Sequence, residues 1–289
     1  RPSILWGDVA RLAPMTVGEF LTSYYEKQVC VFRDFEGKRL SELVRLPQLD
    51  AILGRHVAHH PDITVVEVGR DHRKEDYCAS DGRVEPLRVS SLYAHGATVV
   101  FGRVDRRLGG VAALCGELAR DFGSRMQCNV YLTPAGAQGF PAHWDTHDVI
   151  VIQTEGSKHW TIYDSPIELP LRGQGFDSER YSPGPVAMEF TLGPGDAAYI
   201  PRGVFHAARS VDECSIHATL GVLAFTWADL LLHAVTSAAE SSPLLRRSLP
   251  PTLLSGLSAA EMEQGLQAAL EEMRRVTAVH GAFDYLREE

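Results

Sequence analysis

Gly193-Pro194-Gly195-Asp196-Ala197-Ala198-Tyr199-Ile200-Pro201-Arg202-Gly203-Val204-Phe205-His206 packs turn, strand and turn chemistry into one short run. Residues 193–196 carry the composition of a tight turn, 197–200 that of a short strand, and Pro201-Arg202-Gly203 that of a second turn. His206 therefore follows a β-hairpin-like element, a placement suited to a metal ligand anchored on a barrel wall. Outward from this stretch the texture persists. Residues 126–222 are short apolar runs punctuated by Gly and Pro, as in a β-barrel or sandwich.

A second stretch, His143-Trp144-Asp145, supplies a partner for His206. On a strand, residues i and i+2 share a face, so His143 and Asp145 point one way and Trp144 the other. Two imidazoles and one carboxylate make the ligand set of a mononuclear non-haem Fe(II) centre, whose opposite coordination face stays open. An H-x-D triplet alone is common in loops. What raises this one to a metal site is the hairpin-borne His206, with enough chain between them for several strands.

Elsewhere the pattern predicts strands at 28–32, 63–68, 97–101, 128–132, 186–192 and 215–222. Residues 149–154 and 158–163 flank Glu155-Gly156-Ser157, which reads as a hairpin turn. Thr16-Val17-Gly18-Glu19 has the form of a helix-starting capping box. Helical spacing recurs over 40–53 and 111–122, with a short helix near 90–93. After Thr226 the chain turns helical, with breaks at Ser241-Ser242-Pro243 and Pro250-Pro251. A further capping box at Ser258-Ala259-Ala260-Glu261, with a Leu257–Met262 staple, opens a helix carrying Leu266, Leu270 and Met273 on one face.

Bulk properties narrow the function classes. With 289 residues, 45% of them hydrophobic, the chain can bury a large core. No apolar run is long enough to cross a bilayer, and no secretory signal is legible. The start at Arg1 rather than Met is consistent with an N-terminal piece having been removed. Cys30, Cys78, Cys115, Cys128 and Cys214 are odd in number, scattered and without CxxC spacing, the usage of reduced thiols in a cytoplasmic protein. A net charge of −9 argues against direct nucleic-acid binding and is compatible with a basic protein partner.

These residues together resemble the JmjC-type cupins of the ribosomal oxygenase group. The resemblance runs through Gln138-Gly139-Phe140, His143 to Asp148, Gln153 to Trp160, and Pro194-Gly195-Asp196 through Ile200-Pro201-Arg202-Gly203 to His206. Outside the barrel it includes Tyr24-Tyr25-Glu26-Lys27 and Asn129-Val130-Tyr131-Leu132-Thr133-Pro134. It covers nearly the whole chain, from Thr16 to the C-terminal helices.

The resemblance implies a mainly β fold with helical flanks, organised around a double-stranded β-helix (jelly-roll) core. It divides the chain into an N-terminal α/β segment (1–122) contributing to the JmjC domain, the cupin core (123–225), and a C-terminal helical dimerisation region (226–289). It further implies an Fe(II)- and 2-oxoglutarate-dependent dioxygenase hydroxylating a side chain of a protein substrate, a ribosomal protein in this group. His143, Asp145 and His206 match the metal ligands. Lys158 matches the basic residue for the far carboxylate of 2-oxoglutarate, and Asn129 and Tyr131 match pocket positions beside it. Burial of that carboxylate calls for one cation at depth, and Lys158 is the candidate. Arg202 reads as solvated or structural, His147 as a rim or supporting residue, His159 and His217 as structural, and Asp148 as an orienting carboxylate.

One departure opens an alternative. Members of the group continue into a winged-helix domain after the helical region, whereas this chain stops at Glu289. A peptide natural product, another protein or a small molecule is then a competing substrate. Two further readings keep the fold: a cupin metal dioxygenase or isomerase that does not use 2-oxoglutarate, and a non-catalytic cupin binding module.

Overall fold

The Thr16 capping box forms as its sequence predicts. The Thr16 hydroxyl accepts the Glu19 N–H at 3.2 Å and the Glu19 carboxylate accepts the Thr16 N–H at 2.5 Å, starting α1 (Val17–Ser23). The computed structural model describes residues 16–33, 39–54, 58–249 and 259–276. They fall into two compact units, Arg1–Ala224 and Phe225–Glu289.

In the first unit the order after α1 is β1 (Cys30–Phe32), α2 (Leu46–Gly54), β2 (Ile63–Val66), α3 (Pro86–Ala94), β3 (Thr98–Phe101) and α4 (Gly109–Phe122). Then come β4 (Arg125–Thr133), β5 (Asp148–Glu155), β6 (Lys158–Tyr163), β7 (Val186–Leu192), β8 (Ala197–Ile200), β9 (Phe205–Ser210) and β10 (Ser215–Leu223). The run expected as one helix over 40–53 is split into a 3-10 turn at Arg39–Glu42 and α2. The short helix near Ser90 begins earlier, at Pro86, where a proline fits the first helical turn.

Two antiparallel sheets form, ordered β1-β8-β5-β10-β4-β3-β2 and β7-β6-β9. Here the sequence reading needs correction. Glu155-Gly156-Ser157 does not close a hairpin, because β5 and β6 belong to different sheets. Likewise β8 and β9, on either side of Pro201-Arg202-Gly203, part company, so His206 does not sit on a hairpin. Each turn throws the chain across from one sheet to the other, which is how a double-stranded β-helix winds.

The crossing at Gly156 depends on glycine. Its φ of +60° favours a residue without Cβ, and a Cβ there would lie 2.1 Å from the Cys214 carbonyl oxygen.

Strand β5 is buried on both faces. Ile150 and Ile152 join a core with Phe20, Leu49, Leu114, Leu118 and Leu220, which seals the large sheet against the helices. Val149 and Val151 turn the other way and meet Trp160, Ile162, Leu192, Ala198 and Ile200 between the two sheets. That inner packing fills part of the barrel and leaves the rest as the site described below. Each such buried aliphatic side chain contributes about 1.5–3 kcal/mol.

In the second unit, Thr226 and Asp229 form a capping box at the start of α5 (Trp227–Ser241). It contacts α6 (Ala259–Val276), and the Ser242 hydroxyl donates to Glu272 at 2.6 Å. Trp227, Leu231, Leu232 and Val235 of α5, and Met262, Leu266 and Leu270 of α6, are exposed. The Pro250-Pro251 break and the Ser258 and Leu257 positions of the second cap lie outside the described residues. Among the described residues no helix is long and apolar enough to cross a membrane.

Candidate metal centre and anion pocket

Backbone pairing brings the triad together. The His143 N–H donates to the His206 carbonyl at 3.1 Å and the His206 N–H to the His143 carbonyl at 2.8 Å. One turn away, the Gly203 N–H donates to the Asp145 carbonyl at 3.0 Å. His143 thus makes a single bridge, and Trp144 and Asp145 run on as irregular backbone rather than the strand expected of them. The alternation survives all the same. Trp144 is buried on the far side against Phe176, Tyr181 and Phe205, while His143 and Asp145 face a cavity.

One ligand atom each from His143, Asp145 and His206 lies within 4.8 Å of the others, and they form the one such group among the described residues. The His206 Nε2 is 3.9 Å from the Asp145 carboxylate. In both histidines Nδ1 sits by a backbone carbonyl, that of Pro141 for His143 at 2.8 Å and that of Val204 for His206 at 2.9 Å. A ring whose Nδ1–H is held this way presents an unprotonated Nε2, the form that binds a metal. Burial and the neighbouring His143 push the His206 pKa down to about 4, which favours the same neutral form.

The cavity runs between the sheets, lined by His143, Asp145, Lys158, Trp160, His206 and His217. His206 faces Ile162 across β9 and β6, and Lys158 lies four residues further along the same face of β6. At strand rise that is about 13 Å deeper. Lys158 is almost wholly buried. Its ammonium donates to the Thr133 hydroxyl at 2.9 Å and lies 3.2 Å from His217 Nδ1. No carboxylate among the described residues forms an ion pair with it, and burial lowers its pKa to about 7. A buried cation without a counter-ion, at the closed end of a cavity, is a place for an anion.

Tyr131 lines the same pocket and stacks on His217 with ring centroids 4.6 Å apart and planes within 3°. Burial, and then the Asp145 carboxylate, raise its phenol pKa, while a hydrogen bond from the Asn129 side chain acts against them. Asn129 is placed differently from its sequence expectation. It is not on the cavity wall, and its amide oxygen accepts the Arg103 N–H at 3.1 Å, so it reaches the pocket through Tyr131.

Several residues were misjudged or missed in the sequence. Arg202 is buried, not solvated, and its guanidinium joins Asp148 at 2.9 Å and Glu26 at 2.5 Å. Tyr199 completes the group, accepting the Glu26 N–H at 2.8 Å and donating to Asp148 at 2.8 Å. Burial works against charging Arg202, yet the two carboxylates outweigh it and hold its pKa above the ordinary value. His159 is exposed at the surface beside Glu189 and Thr191. The His147 ring packs on Gly221, where a Cβ would lie 2.5 Å from it. His217, Thr133 and Thr98 form the pocket's deep end, and the alternation of polar and small residues along β10 (His217, Thr219, Gly221) was the available signal.

The JmjC domain family model matches residues 112–230. The bifunctional lysine-specific demethylase and histidyl-hydroxylase NO66 of Aedes aegypti is 32% identical over 248 residues, 83% of this chain and 39% of that protein. Ribosomal oxygenase 2 of Bos taurus is 31% identical over 254 residues, 84% of this chain and 54% of that protein. The chain therefore spans about half or less of the length of these relatives. Among solved structures, the Escherichia coli ribosomal oxygenase YcfD, in complex with cobalt and succinic acid, superposes with a TM-score of 0.60 at 17% identity, covering 94% of this chain and 71% of that one.

Proposed function

We propose, from the chain's membership of the ribosomal-oxygenase-like JmjC cupins, that it is an Fe(II)- and 2-oxoglutarate-dependent oxygenase hydroxylating a side chain of a protein or peptide. One observation carries the reading. A two-His, one-carboxylate triad opens onto a cavity whose closed end holds a buried lysine that pairs with no carboxylate among the described residues. A metal-chelating 2-oxo acid with a second carboxylate fits both ends, whereas an isomerase or a cupin dioxygenase working on a neutral substrate leaves Lys158 unexplained.

In this assignment His143, Asp145 and His206 hold the iron, and Lys158 neutralises the distal carboxylate. Tyr131 forms the wall beside it, kept in place by Asn129 and the His217 stack. When bound, the metal and 2-oxoglutarate supply the activation of dioxygen, one oxygen atom passing into a substrate C–H bond and the other into succinate, with release of CO₂. The chain itself orients the ligand side chains through backbone carbonyls and shields the cavity from water with Trp160, Val149 and Val151, and a metal held by the triad would be reached by substrate through the cavity.

The partner we propose is a basic protein such as a ribosomal protein, which suits the net charge of −9. We also take residues 1–122, 123–225 and 226–289 as functional segments, the last pairing two copies through its exposed apolar residues Trp227, Leu231 and Leu232. A cytoplasmic location is supported by five unpaired cysteines. The test is incubation of the iron-loaded protein with 2-oxoglutarate, oxygen and a ribosomal-protein extract, followed by mass spectrometry. Gain of one oxygen on a defined residue, lost in Asp145→Ala, is the expected result. Succinate formation unaffected by any polypeptide overturns the substrate class.

A further inference from the structure

We infer that His217 is a second donor to the distal carboxylate, its Nε2–H closing with Lys158 a two-pronged grip on that end of the co-substrate. The inference rests on the 2-oxoglutarate reading above and extends it to a residue that reading left as a wall. His217 lies on β10, directly opposite Tyr131 of β4, and its ring forms part of the cavity lining. Its one hydrogen-bonding contact among the described residues is Nδ1 with the Lys158 ammonium, at 3.2 Å.

That contact sets the tautomer. An ammonium has three donors and no acceptor, so a charged Lys158 at this distance requires Nδ1 to accept. A neutral imidazole accepting at Nδ1 carries its proton on Nε2. Burial and the nearby Lys158 both lower the His217 pKa, so the ring stays neutral and the proton on Nε2 is a fixed one. The Tyr131 stack on one face and the Trp160 edge at 5.7 Å fix the ring plane.

The count of donors explains why Lys158 alone is insufficient. One ammonium N–H goes to Thr133 and one to His217, leaving a single N–H for an anion. A carboxylate has two oxygens and about four acceptor sites, and burying it with one donor leaves it poorly satisfied. The Thr98 hydroxyl is already given to Thr133 at 3.2 Å. The Nε2–H of His217 supplies a second donor beside the Tyr131 and Thr219 hydroxyls that line the same cavity, and it does so from a ring held by Lys158 and the Tyr131 stack, without a second positive charge.

The experiment compares two keto acids on the metal-loaded protein under anaerobic conditions by calorimetry. 2-Oxoglutarate and 2-oxobutyrate chelate a metal alike, but 2-oxobutyrate lacks the distal carboxylate. His217→Phe keeps a ring on Tyr131 and removes both nitrogens, while His217→Gln restores a donor of similar reach. The Phe variant is expected to weaken 2-oxoglutarate about ten- to a hundredfold, the range for a hydrogen bond to a charged group, and to leave 2-oxobutyrate unchanged. The Gln variant is expected to recover most of the loss. Equal losses for both acids, or none for 2-oxoglutarate, overturn the inference. A wild-type protein that does not prefer 2-oxoglutarate to 2-oxobutyrate overturns the co-substrate reading instead. Independently of any variant, ¹⁵N-histidine spectra of the zinc-loaded wild-type complex should show His217 protonated at Nε2, and protonation at Nδ1 would refute the grip.

Discussion

The Asp148 carboxylate and the Arg202 guanidinium lie 2.9 Å apart beneath the two segments that carry the metal triad, Asp148 three residues after Asp145 and Arg202 four before His206. Asp148 is fully buried, and burial raises its pKa despite the Tyr199 hydroxyl and the guanidinium beside it. Removing one partner leaves the other charge buried and uncompensated, which costs about 3–5 kcal/mol. Arg202→Met should lower the urea-unfolding free energy by that amount and weaken metal binding as the two loops loosen. An unfolding midpoint within error of wild type would show that the pair does not brace the site.

The triad itself should be separable from the fold. Asp145 is about a third exposed, so Asp145→Ala is expected to unfold like wild type while losing retained iron. Trp144 is the opposite case. Its ring is wedged against Phe176, Tyr181 and Phe205, and Trp144→Ala should destabilise the chain by about 3–5 kcal/mol. Metal analysis after gel filtration, set beside thermal unfolding of both variants, checks the contrast. Iron retained by Asp145→Ala would remove the carboxylate from the ligand set.

Gly156 makes a third prediction. Alanine there meets both a left-handed backbone and a carbonyl oxygen 2.1 Å from its Cβ, so relief requires the β5–β6 crossing to move. Gly156→Ala should cost more than about 3 kcal/mol, beyond the ordinary range of point substitutions. Gly116, on α4 with open space around it, is the control: Gly116→Ala should be neutral or stabilising by up to about 1 kcal/mol. Equal melting temperatures for the two variants would contradict the crossing geometry.

The difference between what was and was not legible lies in how local each signal is. Strand and cap chemistry is local, so Val186–Leu192, Lys158–Tyr163 and the box at Thr16 read through directly. The triad was legible because its spacing reports the chemistry whatever the backbone does, and it survived the loss of the expected strand at Trp144. Sheet membership is not local. Glu155-Gly156-Ser157 has turn composition whether the next strand pairs back or crosses over, and only the pairing of β5 with β8 and β10 decides it. The same limit hid the Arg202 partners, since Glu26 is 176 residues away. It also hid His217, whose role depends on a lysine from another sheet.

Lys158 gives the pH prediction. Burial sets its pKa near 7 in the free protein, so above that pH the amine is largely neutral. A carboxylate bound against it favours the charged form and raises the pKa, so binding 2-oxoglutarate above pH 7 takes up one proton. Affinity is therefore fully developed below about pH 7 and falls about tenfold per pH unit above it, until the pKa of the complex is reached. Folding carries the opposite sign: the unfolded lysine holds a proton that the folded one has lost, so between about 7 and 10.5 this group's contribution to stability grows with pH. Calorimetry of 2-oxoglutarate binding to metal-loaded, oxygen-free protein, repeated in buffers of different ionisation enthalpy at pH 8, counts the proton directly. Uptake near one in wild type and near zero in Lys158→Met is the expected pair of results. No uptake in wild type would mean that the ammonium is already charged before the anion arrives and that some other group compensates it.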